Sequence, residues 1–246
     1  MKKNFLIILS LFLINLDLSA QDIILEEDVK SDTIIDKWGK NRSNFQHFYL
    51  DLNFSVPVEE EKGAELRYGF SHGVAIGYRY KKRLSNTFAL GLDGSYRFFK
   101  YDIKQNDKKT IPNIFNKEYD KEKYKTHSLS AEGFFRINIG RRGDFVGNFL
   151  DVGYYGSWIF GFNHWYKYEY KKIINGKSEN NCETIISKER NLNYVENLEY
   201  GLRVRIGLNR YILSASYRMS DLFNSQTDFE IPELPVLKIG LQIGFY

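Results

Sequence analysis

The feature that most constrains the fold is a two-residue alternation of apolar and polar side chains that recurs along most of the chain. A period of two is typical of β-strands, in which successive side chains point to opposite faces. The alternating segments are Phe48–Val56, Leu66–Tyr80, Thr87–Tyr101, Leu129–Ile139, Leu150–Phe162, Leu198–Leu208, Tyr211–Arg218 and Leu237–Phe245. The sequence therefore predicts an all-β fold of eight antiparallel strands.

The connections between these segments alternate in length. The short ones are Lys81–Asn86, Gly140–Gly147 and Asn209-Arg210, and the long ones are Pro57–Glu65, Ile103–Lys123, Lys171–Asn191 and Asp221–Pro235. Short turns on one side and long loops on the other are typical of outer-membrane barrels. We therefore predict a single antiparallel up-and-down transmembrane β-barrel over residues 45–246, with short periplasmic turns and long outer loops.

The polar face of the predicted strands combines charges of both signs with many glycines. A soluble sandwich turns its apolar face inward, whereas a membrane barrel turns that face to lipid and keeps polar groups inside. Glycine weakens a solvated strand but suits the crowded interior of a narrow barrel. The membrane alternative therefore predicts a lumen charge network of Arg67, Arg79, Asp93, Arg97, Glu132, Arg136, Asp151, Glu199, Arg203, Arg205, Arg218 and Lys238. A soluble sandwich, with these charges facing water, stays the rival fold.

The first twenty residues have the layout of a secretory signal peptide. Lys2 and Lys3 precede the apolar run Phe5–Leu16, and the small residues of Leu18-Ser19-Ala20 offer a cleavage point. The run is too short to cross about 30 Å of hydrocarbon as a helix. We therefore expect a cleaved signal peptide at residues 1–20, a periplasmic N-terminal extension at residues 21–44, and localisation in the bacterial outer membrane.

Several other classes of protein and site find no support in the sequence. The absence of a long apolar run after residue 20 argues against a helical membrane protein. Cys182 is the only cysteine, and the four histidines (His47, His72, His127 and His164) lack metal-ligand spacing, so we expect no disulfide, metal or cofactor. The net charge of +4 comes without a concentrated basic run, and we expect no nucleic-acid partner.

One short segment invites comparison with lipid-modifying enzymes of the outer membrane. His127-Ser128 and Glu132 supply the residue types of a hydrolytic site on one predicted strand. Strand periodicity places Ser128 and Glu132 on one face and His127 on the other. We therefore predict that the chain is not an enzyme, and keep a lipid-modifying enzyme as the third alternative.

The chain resembles the small outer-membrane β-barrel family of Gram-negative bacteria, the porin-like outer membrane protein β-barrel domain. The signal peptide, the rhythm of strands and loops, and the closing segment Val236–Tyr246 carry the resemblance. In that family the last strand is read by the barrel-assembly machinery and usually ends on an aromatic residue. The resemblance implies an assembly-signal strand of Leu237, Ile239, Leu241, Ile243, Phe245 and Tyr246, although Tyr246 is one step out of phase.

The expected function is a structural or interaction role in the outer membrane, through the outer loops or the periplasmic extension. The loops Ile103–Lys123 and Lys171–Asn191 mix charges of both signs, which is typical of exposed segments. The expected partners are outer-membrane lipid and the barrel-assembly machinery, together with lipopolysaccharide or another envelope protein. The second alternative is a narrow porin or an accessory of transport or secretion.

Overall fold

The computed structural model describes most of the chain after residue 36. The described residues are 37–57, 63–107, 109–111, 119–140, 143, 145–174, 177–190, 192, 194–224 and 232–246, with the backbone alone for residues 170–174 and 177–183. All of them belong to one compact unit, residues 36–246. The predicted signal peptide and most of the predicted N-terminal extension lie outside these residues. Within them, no helix is long and apolar enough to cross a membrane.

The described chain forms one antiparallel sheet of nine strands. They are β1 (Asn44–Val56), β2 (His72–Arg83), β3 (Phe88–Ile103), β4 (Lys121–Ile139), β5 (Asn148–Ile174), β6 (Lys177–Arg190), β7 (Leu198–Leu208), β8 (Tyr211–Arg218) and β9 (Leu237–Phe245). In the described part of the chain the helical residues are one 3-10 turn, Tyr68–Phe70. The predicted all-β antiparallel fold is confirmed.

The sheet closes on itself in a ring. Strand β1 pairs with β2 on one side and with β9 on the other, and β4 pairs with β5, so neighbours in the chain are neighbours around the ring. Eight strands complete the circuit, since β5 pairs directly with β7 and β6 pairs with the far part of β5. The predicted pairing of the first and last strands is confirmed: Phe48 lies opposite Phe245, and Val56 lies opposite Leu237.

The two ends of the ring differ. At one end, here called the turn end, residues 84–87, 140–147 and 209–210 connect the strands. Asn209 has a φ of 58° there, a left-handed conformation that asparagine tolerates better than most residues and that tight hairpins require. The opposite end, here called the loop end, carries the longer connections and the β5–β6 hairpin. This division matches the predicted alternation of connection lengths.

The second predicted strand begins later than expected. Residues 66–70 were predicted as part of it, but β2 starts at His72. Leu66 is buried and forms an isolated bridge with Ile103, and the backbone N–H of Phe70 donates to the carbonyl of Arg67 (2.9 Å). Residues 66–70 therefore alternate in sequence like a strand, but they lie outside the sheet in a segment that packs at the loop end.

The prediction of an outer loop at Lys171–Asn191 is wrong. Strand β5 extends to Ile174, and β6 runs back alongside it, with Lys167 opposite Ile186. This hairpin raises the strand number from the predicted eight to nine. A signal was available in the sequence, because the dipeptide Asn175-Gly176 is a strong two-residue hairpin signal.

A β-bulge in β5 changes which side chains face inward. Ser128 lies opposite Ile159 and His127 lies opposite Gly161, so Phe160 is an extra residue on β5. Both Ile159 and Phe162 are consequently buried. The prediction that Phe162 shares an outward face with Phe160 is therefore wrong, since strict alternation assumes an uninterrupted ladder.

Candidate functional site

The inward faces of the ring strands carry a buried set of ion-paired side chains, here called the charge network. Its members are Arg79, Asp93, Glu132, Arg136, Asp151, Arg203 and Arg205. They come from β2, β3, β4, β5 and β7, where the period of two sends every second side chain inward. All seven were predicted from that alternation.

Arg205 lies at the centre of the charge network. Its Nη2 is 2.6 Å from Glu132 Oε1, its Nε is 3.3 Å from Asp151 Oδ2, and its Nη1 is 3.8 Å from Asp93 Oδ2. Arg136 holds Asp151 through two hydrogen bonds of 2.7 and 2.8 Å. The carboxylates are therefore shared between guanidinium groups. The planar guanidinium group can bind a carboxylate through two hydrogen bonds, a geometry that only arginine provides.

A second chain of hydrogen bonds crosses the seam where β9 meets β1. Arg79 binds Asp93 at 2.8 Å and also donates to the Gln242 amide oxygen at 3.0 Å. The Gln242 amide nitrogen donates to Asp51 Oδ2 at 3.1 Å, and the Tyr49 hydroxyl donates to Asp93 Oδ1 at 2.7 Å. Asp51, Tyr49 and Gln242 were missing from the predicted network, although their inward alternation could have identified all three.

Five of the inward glycines lie directly opposite an aromatic residue of the neighbouring strand. The directly opposed pairs are Gly73 with Phe99, Gly77 with Tyr49, Gly91 with Phe134, Gly201 with Tyr155, and Gly207 with Phe149. A Cβ built on Gly207 would lie 2.1 Å from Phe149 Cζ, so a side chain there would displace the ring. The glycines are needed because their neighbours' rings occupy the space.

These rings also lie close to cations. The guanidinium of Arg136 lies 3.5 Å from the ring centre of Phe149, and that of Arg203 lies 4.6 Å from the ring centre of Tyr155. Such cation–π contacts are worth about 2 kcal/mol or more when desolvated. Each set of glycine, ring and cation therefore fills part of the interior and partly compensates the buried charge.

We expect Gly207→Ala to lower the free energy of unfolding by about 1–3 kcal/mol, because the Phe149 ring must leave its position over the glycine. Urea unfolding followed by tryptophan fluorescence measures this change. Gly94→Ala is the matched control, since Gly94 faces outward with nothing within 4 Å of an added Cβ. Equal stability of the two variants would contradict the packing role of Gly207.

Apolar clusters close the interior at both ends. The loop-end cluster consists of Ala64, Leu66, Phe99, Tyr101, Ile103, Ile111, Tyr124, Ile159, Phe162, Val195, Leu222, Phe223 and Leu234. The turn-end cluster consists of Phe45, Val146, Phe149 and Ile212, with Tyr246 packed against it. Burial raises the pKa of the Tyr246 phenol to about 12, and the phenol donates to Asn209 Oδ1 at 3.1 Å.

A second polar group, not predicted from the sequence, lies at the loop end. The Glu122 carboxylate is buried and lies 2.7 Å from His164 Nε2 and 2.6 Å from Lys109 Nζ. Nearby, burial raises the pKa of the loop residue Tyr194 well above its ordinary value. Because Lys109 comes from the connection between β3 and β4, these contacts fasten that connection to the sheet. The long separation of the partners in sequence concealed the group.

The remaining predicted network residues lie nearer the loop end. Arg67 lies outside the strands with its side chain 38 % exposed, where it binds Asp102 at 2.6 Å. Arg218 binds Glu233 at 2.9 Å. Glu199 accepts a hydrogen bond from the Tyr155 hydroxyl at 3.1 Å and lies 3.6 Å from Lys238 Nζ. Arg97 points inward from β3 and lies 3.9 Å from Asp51.

The outward face of the ring is a continuous surface of exposed apolar side chains, here called the apolar belt. Its large members are Phe48, Leu52, Phe54, Ile76, Tyr78, Phe88, Leu90, Leu92, Tyr96, Leu129, Phe135, Ile139, Val152, Tyr154, Trp158, Phe160, Leu198, Tyr200, Leu202, Val204, Ile206, Leu208, Tyr211, Leu213, Tyr217, Ile239, Leu241, Ile243 and Phe245. All eight ring strands contribute. The molecule is thus apolar outside and charged inside.

The closing strand follows the same division. Ile239, Leu241, Ile243 and Phe245 lie in the apolar belt, and Leu237 is half-buried at its loop-end limit, whereas Gly240, Gln242 and Gly244 are buried in the interior. Tyr246 lies beyond the strand. Its ring contacts those of Phe45 and His47, so it packs at the turn end instead of continuing the apolar row.

The residues considered for a hydrolytic site are separated by the sheet. His127 lies on the outer face, with Nδ1 2.7 Å from the Tyr96 hydroxyl, whereas Ser128 and Glu132 are buried inside. Among the described residues, no group of three or more His, Cys, Asp and Glu side chains could hold a metal ion. No protein-family model matches the chain, and no curated protein matches it.

Proposed function

We propose that this chain is a transmembrane β-barrel of the bacterial outer membrane with a structural or interaction role, of the kind found in the small outer-membrane β-barrel family. The apolar belt carries the proposal, because it surrounds a closed sheet whose interior is charged. Soluble monomers rarely expose apolar patches larger than about 300–600 Å². Lipid is the environment that removes such a belt from water.

The dimensions of the ring strands support the same proposal. A transmembrane strand needs about 9–11 residues. Strands β7 and β9 have 11 and 9 residues, and their outward side chains are apolar throughout. With the turn end in the periplasm, the apolar row of β9 faces lipid. The C-terminal end of β9 is then presented to the barrel-assembly machinery, the partner expected from the sequence of the closing strand.

The filled interior favours a structural or interaction role over a narrow pore. The charge network occupies the middle of the ring, and apolar clusters occupy both of its ends. Barrels of about eight strands have interiors filled by side chains rather than water channels. We therefore assign the function to surfaces outside the lumen and expect no conductance.

The β5–β6 hairpin supplies such a surface. Pairing of β5 with β7 ends at Trp158 and its pairing with β4 ends at Lys167, so the hairpin extends past the ring beyond Lys167. At about 3.3 Å per residue, the hairpin reaches about 23 Å beyond that point. Its base presents Ile186, Lys188 and Arg190 to solvent. Mixed apolar and basic groups suit lipopolysaccharide or another envelope protein as partner.

Fractionation of expressing cells tests the barrel proposal. We expect the protein in the outer-membrane fraction, and a gel band that shifts on boiling because the closed sheet resists detergent until heated. Purified protein in planar bilayers should show no steady single-channel current. Recovery in the soluble fraction without detergent would disprove the membrane assignment, and steady currents would favour the pore.

Trimming the hairpin tests the interaction role separately. Glu169 and Thr184 lie opposite each other, so residues 170–183 can be replaced by Asn-Gly without changing the pairing below them. We expect the trimmed protein to keep its heat-modifiable band and to lose the cross-linked adducts that the wild type forms in intact cells. Retention of every adduct would exclude the hairpin as the interaction surface.

A further inference from the structure

The interior of the ring has more positive than negative charge. Between the two apolar clusters, the described inward side chains include six cations and five anions. They are Arg79, Arg97, Arg136, Arg203, Arg205 and Lys238, and Asp51, Asp93, Glu132, Asp151 and Glu199. A buried charge without a counter-charge is costly. An anion from outside the chain would therefore compensate the surplus cation.

Arg97 is the most weakly compensated of these cations. Its distance to Asp51 is 3.9 Å, whereas Arg203 lies 2.5 Å from Glu132. Arg97 Nη2 is buried and has no hydrogen-bond partner in the described part of the chain, and Nε donates to the Ser95 hydroxyl at 3.2 Å. Lys238 lies 3.6 Å from Glu199, and its ammonium group is 4.9 Å from the ring centre of Phe99.

A cavity of about 20 Å³ lies where these two cations meet. Arg97, Arg203 and Lys238 line it together with the anion Glu199, and Ser128 and Ser216 add hydroxyl groups. A water molecule needs roughly 10–15 Å³ of such space. The cavity therefore accommodates one species of about that size and is too small for a polyatomic organic anion.

We propose that this cavity is a binding site for a single monatomic anion of the chloride class, held by Arg97 and Lys238. The anion neutralises the surplus charge of the interior and receives the hydrogen bonds that Arg97 lacks within the chain. The site depends on the geometry of the lumen alone, so it holds whether or not the outer surface of the ring lies in lipid.

Bromide soaking of crystals of the full chain tests the site directly. We expect an anomalous peak within hydrogen-bond distance of the Arg97 guanidinium. The peak should be lost in Arg97→Gln, weakened in Lys238→Gln, and kept in Lys100→Gln, a control that removes a cation from the opposite face of the same strand. Electron density without an anomalous signal would identify a water and overturn the proposal, as would an unchanged peak in both cavity variants.

Thermal unfolding gives an independent measurement in solution. At equal ionic strength, the wild type and Lys100→Gln should unfold about 2–4 °C higher in sodium chloride than in sodium gluconate, whose anion is too large for the cavity. Arg97→Gln should unfold at the same temperature in both salts. A wild type without this difference, or an Arg97→Gln variant that keeps it, contradicts the proposal.

Discussion

Arg205→Met is expected to lower the free energy of unfolding by about 3–5 kcal/mol. The Arg205 side chain is fully buried and contacts Glu132, Asp151 and Asp93, so its removal leaves three carboxylates with one partner fewer each. Breaking a buried ion pair costs more than the pair contributes, because the remaining charge cannot reach water. Urea unfolding of the refolded protein, followed by fluorescence or by loss of the heat-modifiable band, measures the change.

Two further variants serve as comparisons: one keeps the charge at position 205, and the other removes an exposed charge. Arg205→Lys keeps the charge but loses the planar fork, so its stability should lie between those of the wild type and Arg205→Met. Arg190→Met removes an exposed arginine from β6 and should change stability by no more than about 0.5 kcal/mol. If Arg205→Met were as stable as Arg190→Met, the charge network would not hold the ring together.

With the apolar belt in lipid, as proposed, Leu92→Arg is expected to destabilise the protein folded in phospholipid vesicles by about 2–4 kcal/mol. Leu92 is 66 % exposed on the outward face of β3, near the middle of the apolar belt, where lipid would surround the new charge. At a position exposed to water the same substitution would have little effect. The folded fraction in phospholipid vesicles over a urea gradient measures the difference.

Leu84→Arg provides the matched control for depth. Leu84 is 58 % exposed in the turn 84–87, so the same arginine would lie near the membrane surface and cost about 0–1 kcal/mol. A soluble fold would show no dependence on position along the strand. Equal effects of the two substitutions would therefore contradict a lipid-facing belt.

The fold was largely predictable because strand alternation is a local property. In β7, β8 and β9 the predicted bounds match the observed strands, since each alternates without interruption between clear turns. Prediction failed where a non-local contact overrode the pattern. The residues around Leu66 alternate in sequence like a strand, but Leu66 is buried against Ile103, and its segment packs at the loop end instead of joining β2.

The membership of the charge network was predictable, but its pairing was not. Alternation placed Asp93, Glu132 and Asp151 inward without indicating that all three approach Arg205. Their meeting depends on the register of four strands, β3, β4, β5 and β7, around a closed ring. Glu122 and His164 went unrecognised for the same reason, because they meet only through the pairing of β4 with β5.

The sequence by itself determined the strand type and, wherever a strand runs without a bulge, the two faces of that strand. These follow from the period of two, which sets side-chain direction through the backbone alone. The tertiary structure decided the bulge at Phe160, the approach of three carboxylates to Arg205 and the cavity beside Arg97. Each depends on which residues of distant strands lie opposite one another, and a linear pattern does not contain that information.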